Sequence, residues 1–109
     1  MSDSSLKGLA LDARGYLLDA GQWQRDVAIE MAIRDGIELN EQHWESIDFL
    51  RAYHQRFATA PPMRLLVKEI GHQFGVDKAS SRYLYRLFPD GPARQACRYA
   101  GLPKPVSCI

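Results

Sequence analysis

At 109 residues, with 46% hydrophobic and 25% charged side chains, the chain suits one soluble globular domain and excludes global disorder. The formal net charge of +1 hides a division: residues 1–63 carry 6 Lys/Arg against 10 Asp/Glu, whereas residues 64–109 carry 8 against 3. No apolar run reaches membrane-spanning or signal-peptide length, so the expected compartment is the cytoplasm, where thiols stay reduced.

Two short apolar runs flank Asp12, Ala13, Arg14 and Gly15, and this pattern predicts a β-hairpin over residues 8–18. A first helix is expected over 22–35, with Trp23, Val27 and Met31 on one face and Gly36 as its stop. Asn40 reads as the N-cap of a second helix to about residue 58, whose apolar face includes Phe49, Leu50, Tyr53 and Phe57. Pro61 and Pro62 break the chain before a third helix over 63–74, with Leu66, Ile70 and Phe74 facing the core. Asp77 is a candidate cap for a fourth helix over 78–88, and a turn over 89–92 leads to a fifth over about 92–100. The expected fold is mainly α, a compact orthogonal bundle of about five helices over residues 1–101.

Beyond Gly101 the chain changes character. Pro103 and Pro105 remove backbone donors and fix φ, so residues 102–109 read as an extended, flexible arm. It carries Cys108, one position before the end, and at about 3.1 Å per residue it can take that sulfur roughly 20 Å from the body. Gly101, Leu102, Pro103, Lys104 and Pro105 are the candidate residues for arm movement and partner docking. The other cysteine, Cys97, lies eleven positions earlier on the fifth helix, beside Ala93, Ala96 and Ala100.

Cys97 admits two readings: a small apolar residue filling a core gap, or a thiol that pairs with Cys108. An arm folded back over the fifth helix would bring the two within disulfide range, and strained, exposed disulfides are the labile ones. Arg94 and Arg98 are candidates for favouring a thiolate nearby. Cys108 in turn reads as an incidental tail thiol or as a working nucleophile.

Other chemistry has less support. His43 and His54 would lie roughly 16 Å apart on one helix, too far for a shared metal, and no zinc spacing or phosphate loop is present. No metal, cofactor or small-molecule pocket is expected. Residues 65–86 have the rhythm of a helix-turn-helix, with Arg82 and Arg86 placed for phosphate contact, so DNA binding is an alternative of a different class.

The block from Arg82 to Gln95, followed by Ala100 to Pro105 and the penultimate Cys108, closely resembles the DsrC/TusE family of sulfur-relay proteins. The likeness extends upstream through Gly15, Tyr16 and Leu17, Gln22 and Trp23, His43 and Trp44, and Arg64 to Lys68. It implies a helical carrier whose arm delivers a sulfur-bearing cysteine to partners. In the one-cysteine TusE type, the resemblance implies a persulfide taken from an upstream relay protein for tRNA thiolation. In the two-cysteine DsrC type, it implies entry of the arm into a siroheme sulfite reductase, a trisulfide between the cysteines, and recovery by a membrane-linked reductase. Cys97 places this chain with the second type on that reading, with Cys108 as nucleophile and Cys97 as the resolving thiol. Such a protein is a co-substrate rather than an autonomous enzyme.

Overall fold

The computed structural model describes residues 9–105, and five helices form the body. They are α1 (Arg25–Arg34), α2 (Glu41–Phe57), α3 (Met63–Phe74), α4 (Ser81–Leu87) and α5 (Pro92–Tyr99), with 3₁₀ turns at Ala20–Gln22 and Val76–Lys78. The core gathers Val27 and Met31 from α1, Ile47 and Leu50 from α2, Leu66 and Ile70 from α3, and Leu84 and Leu87 from α4, around α5. Ala96, Cys97, Tyr99 and Ala100 are completely inaccessible, so α5 is the element the others enclose. Among the described residues no helix is long and apolar enough to cross a membrane.

The hairpin is a correction. Gly8 lies outside the described residues, and residues 9–18 make only an isolated antiparallel bridge between Leu11 and Leu17. The Asp12 carboxylate explains why. Its Oδ1 accepts the backbone N–H groups of Arg14 at 2.8 Å and Tyr16 at 2.9 Å, diverting donors that a ladder would use. Tyr16 and Leu17 are moreover both buried, which breaks the alternation of a strand and makes the segment a loop packed on α5.

Two helix starts also differ from expectation. The first helix begins at Arg25 rather than residue 22, because Trp23 and Gln24 are extended and the Trp23 indole donates to the Tyr99 carbonyl at 2.7 Å. The fourth is capped by Ser80, whose Oγ accepts from Tyr83 N at 3.1 Å, not by Asp77. The cause lies in α3: a Cβ on Gly71 would stand 2.4 Å from the Ala79 Cβ, so Ala79 is pressed onto α3 in a non-helical conformation. The second and third helices match their expected limits, including the Asn40 cap, which accepts from Gln42 N and His43 N.

Candidate functional site at the end of the fifth helix

Pro92 at the first position starts α5 after Gly91, and Gly101 ends it. The ending is a Schellman turn: Gly101, at φ +72°, donates to the Arg98 carbonyl at 3.1 Å, and Leu102 N–H donates to the Cys97 carbonyl at 3.0 Å. The remaining terminal carbonyls are also taken. Ala96 O accepts from Ala100 N, Tyr99 O from the Trp23 indole, and Ala100 O from Arg51 Nη1 at 2.7 Å. Arg51 in turn lies 4.0 Å over the Trp23 ring, placing a cation at the negative end of the helix. Every carbonyl from Ala96 to Ala100 therefore has a donor, and the direction in which the chain leaves α5 is set by the body.

That exit carries the chain along the surface, not away from it. Leu102 is 3% exposed and Pro105 is buried, while Pro103 and Lys104 face solvent. Pro103 to Pro105 border a small cavity with His54, Ala58 and Ala60 at the end of α2. Cys108 lies outside the described residues.

Cys97 is free and completely buried, and burial pushes its thiol up to about 12. The expected help from Arg94 and Arg98 does not reach it in this conformation. Arg98 instead binds Asp35 Oδ2 at 2.8 Å and approaches Asp90 at 3.8 Å, and Arg94 is exposed. Burial thus disfavours the thiolate, the nucleophilic form, for as long as Cys97 stays in the core.

Tyr16 lies near enough to Cys97 to feel its charge. Its hydroxyl donates to the Arg94 carbonyl at 3.3 Å, and its ionisation is held back by burial first and then by the nearby Cys97 sulfur, with Arg98 and Arg94 acting the other way. Tyr16 also forms part of a polar cleft of about 380 Å³, with Arg14, Asp35, Arg94 and Arg98 among its walls. Cys97 itself does not line the cleft.

Asp35, at the C-cap of α1, fixes that wall. Its Oδ2 accepts from Tyr99 OH at 2.6 Å as well as from Arg98, and Gln95 Nε2 donates to the Tyr99 hydroxyl at 2.9 Å. Burial, followed by the Asp35 bond, drives the Tyr99 phenol well above its ordinary range. Tyr16, Asp35, Gln95 and Tyr99 were not expected from the sequence. A lone aspartate before a helix-ending glycine looks like any other, and only the packing of α1 on α5 gives it a partner.

The remaining sequence candidates lie elsewhere. His43 is buried within α2, donating from Nε2 to the Leu87 carbonyl at 2.7 Å and accepting at Nδ1 from Asn40 N; burial lowers its basicity. His54 borders the arm root, and His72 is exposed on α3. Among the described residues no group of His, Cys, Asp and Glu is arranged to hold a metal. Arg82 and Arg86 are exposed one turn apart on the two-turn α4.

Three comparisons bear on this arrangement. The family model described as "DsrC like protein" matches residues 4–109. A curated relative from Salmonella typhimurium, named sulfurtransferase TusE, is 50% identical over 103 residues, covering 94% of each chain. The solution structure of Allochromatium vinosum DsrC is 50% identical with a TM-score of 0.80, covering 93% of this chain and 90% of that one. The crystal structure of the oxidized gamma-subunit of dissimilatory sulfite reductase from Archaeoglobus fulgidus is 42% identical with a TM-score of 0.82, covering 93% and 92%.

Proposed function

The chain belongs to the family of DsrC-like proteins, and on that premise we propose that it is a sulfur carrier whose Cys108 accepts sulfur and whose Cys97 resolves it. The observation that carries the second half is the position of Cys97. It sits at the third residue from the end of α5, its carbonyl bonded to the first N–H of the arm and its side chain completely buried in the core. A sealed thiol cannot intercept sulfur or oxidant on its own. It acts only when the loaded arm returns and the packing around Cys97 opens, which keeps loading on Cys108 and release at Cys97 in order.

The chemistry balances in either of two forms. With a persulfide on Cys108, a Cys97 thiolate attacks the Cys108 sulfur, a disulfide forms, and the outer sulfur leaves as hydrosulfide. With sulfite bound at a siroheme reductase, the two thiols, one sulfite, four protons and two electrons from the reductase give the trisulfide and three waters. The favoured partner is therefore a dissimilatory sulfite reductase, the assembly named for the Archaeoglobus relative, with a membrane-linked disulfide or trisulfide reductase to restore the thiols.

A second reading has equal support from the relatives: a persulfide courier of the kind named sulfurtransferase TusE, passing sulfur between relay proteins from Cys108 alone. Turnover with sulfite reductase followed by peptide mass measurement separates the two. The two-cysteine carrier yields a Cys97 peptide joined to the C-terminal peptide through one added sulfur. Cys97→Ser abolishes that species and Cys108→Ser abolishes all loading. An identical product distribution for wild type and Cys97→Ser would leave the courier as the function.

A further inference from the structure

Helix α1 is apolar on two faces. Val27, Ala28, Met31 and Ala32 are packed in the core, whereas Ile29 and Ile33, one turn apart, are 41% and 62% exposed. Together with Ile37, Leu39 and Trp44, which are partly buried against the core, they wall a recess of about 510 Å³. Two branched apolar side chains held in water beside an apolar recess make a surface suited to being covered by a partner.

The recess is not isolated. Gly36 and Ile37 are also walls of a second recess beside Pro89, and Asp35, Asp90 and Gln95 join that one to the polar cleft of Arg14 and Arg94. The three make one groove, which follows α1 for about 9 Å from Ile29 to Asp35 at 1.5 Å per residue and ends on the two arginines. Its charges give it a direction. Asp35 and Asp90 are already committed to Arg98, at 2.8 Å and 3.8 Å. Arg14 and Arg94 are exposed, and among the described residues neither has a carboxylate partner. The apolar end holds instead the exposed carboxylate of Glu38, which opposes an acidic group there.

We propose that this groove docks an extended segment of a partner protein, one that carries a large apolar side chain and, three or more residues away, one or two carboxylates. Three extended residues at about 3.3 Å each cover the distance along α1. The apolar side chain fills the recess against Ile29 and Ile33, and the carboxylates accept charge-assisted bonds from Arg14 and Arg94. Among the described residues no cysteine lines the groove, so docking here leaves the thiols uninvolved.

Panning of random peptides displayed on phage against the full chain tests the proposal, with the enriched sequences then titrated as fluorescent peptides by anisotropy. The enriched pattern is expected to pair a large apolar residue with Asp or Glu three or more positions away. Ile33→Gln should weaken binding about tenfold through lost apolar burial. Arg14→Gln with Arg94→Gln should also weaken it about tenfold, and high salt should erase that difference. Arg64→Gln with Lys68→Gln, the same change of charge on the exposed side of α3, should leave binding as it is. Equal urea midpoints establish that the variants are folded. Failure to enrich any peptide, enrichment without acidic residues, or equal binding by the Arg14 and Arg94 variant would overturn the proposal. Self-association in sedimentation that Ile33→Gln abolishes would make the occupant a second copy of the chain, and binding of dodecanoate but of no peptide would make it an amphiphile; either result overturns the peptide segment.

Discussion

Helices α1 and α5 end in the same hydrogen-bonded turn, yet their glycines answer to different forces. Gly36 lies at φ +75° and Gly101 at φ +72°, and in each turn the next residue bonds back to the third carbonyl from the end: Ile37 N–H to Ala32 O, Leu102 N–H to Cys97 O. A Cβ on Gly36 would meet nothing within 4 Å. A Cβ on Gly101 would stand 2.5 Å from Trp23 Cδ1, 2.8 Å from Cγ and 2.9 Å from Cβ. One glycine therefore satisfies a backbone angle, while the other also admits an indole root against the main chain. The difference separates a helix that simply stops from one whose exit is aimed.

The comparison is broken most directly by Gly101→Ala. The left-handed angle costs about 1 kcal/mol. Crowding against the base of a side chain, which cannot swing away as a flexible tip would, adds about 1–3 kcal/mol. The expected loss is about 3 kcal/mol by urea denaturation. Because the displaced residue is the root of the arm, Cys97–Cys108 disulfide formation should weaken too. A loss no larger than 1 kcal/mol would show that Trp23 does not hold the exit.

Coupling to Trp23 sharpens the point and is the next largest effect. Trp23→Ala removes the Cγ and Cδ1 atoms that a Gly101 methyl would strike, so the double variant should be less destabilised than the sum of the singles by about 1–2 kcal/mol. Gly36→Ala paired with Trp23→Ala should be additive within about 0.5 kcal/mol. A double-mutant cycle with no coupling at Gly101 would mean the close approach is relieved elsewhere.

Gly36→Ala alone should cost about 1 kcal/mol, the penalty of the backbone angle without a clash. This is the part of the fold that the sequence made legible. A glycine after an apolar repeat marks a helix end through local sterics, and both Gly36 and Gly101 were legible in that way. So were the Asn40 cap and the proline starts of α3 and α5, because each acts within a few residues. What stayed hidden is tertiary. Trp23 looked like a helical face residue until its indole was found on Tyr99 O, and Asp12 looked like a hairpin turn until its carboxylate took two backbone donors. Of the candidate site, the two cysteines could be read from residue type and spacing. The bonds of Tyr16 to Arg94 O and of Tyr99 to Asp35 could not, since both depend on what packs against α5.

The smallest effect has the opposite sign and comes from a third helix end. Helix α2 also turns left-handed at its C-cap, but with Ala58 at φ 59°, donating to the His54 carbonyl at 2.7 Å. An alanine here bears the strain that Gly36 and Gly101 avoid. Ala58→Gly removes it, although the freer unfolded chain takes back part of the gain. The net result should be a stabilisation of up to about 0.5 kcal/mol, seen as a higher urea midpoint at unchanged slope. Ala58 also borders the cavity beside Pro103 and Pro105, which gives the substitution a second place to act, at the arm root. If Ala58→Gly destabilises instead, packing there outweighs the backbone angle. The end of α2 would then belong with Gly101, as part of what aims the arm, and not with Gly36.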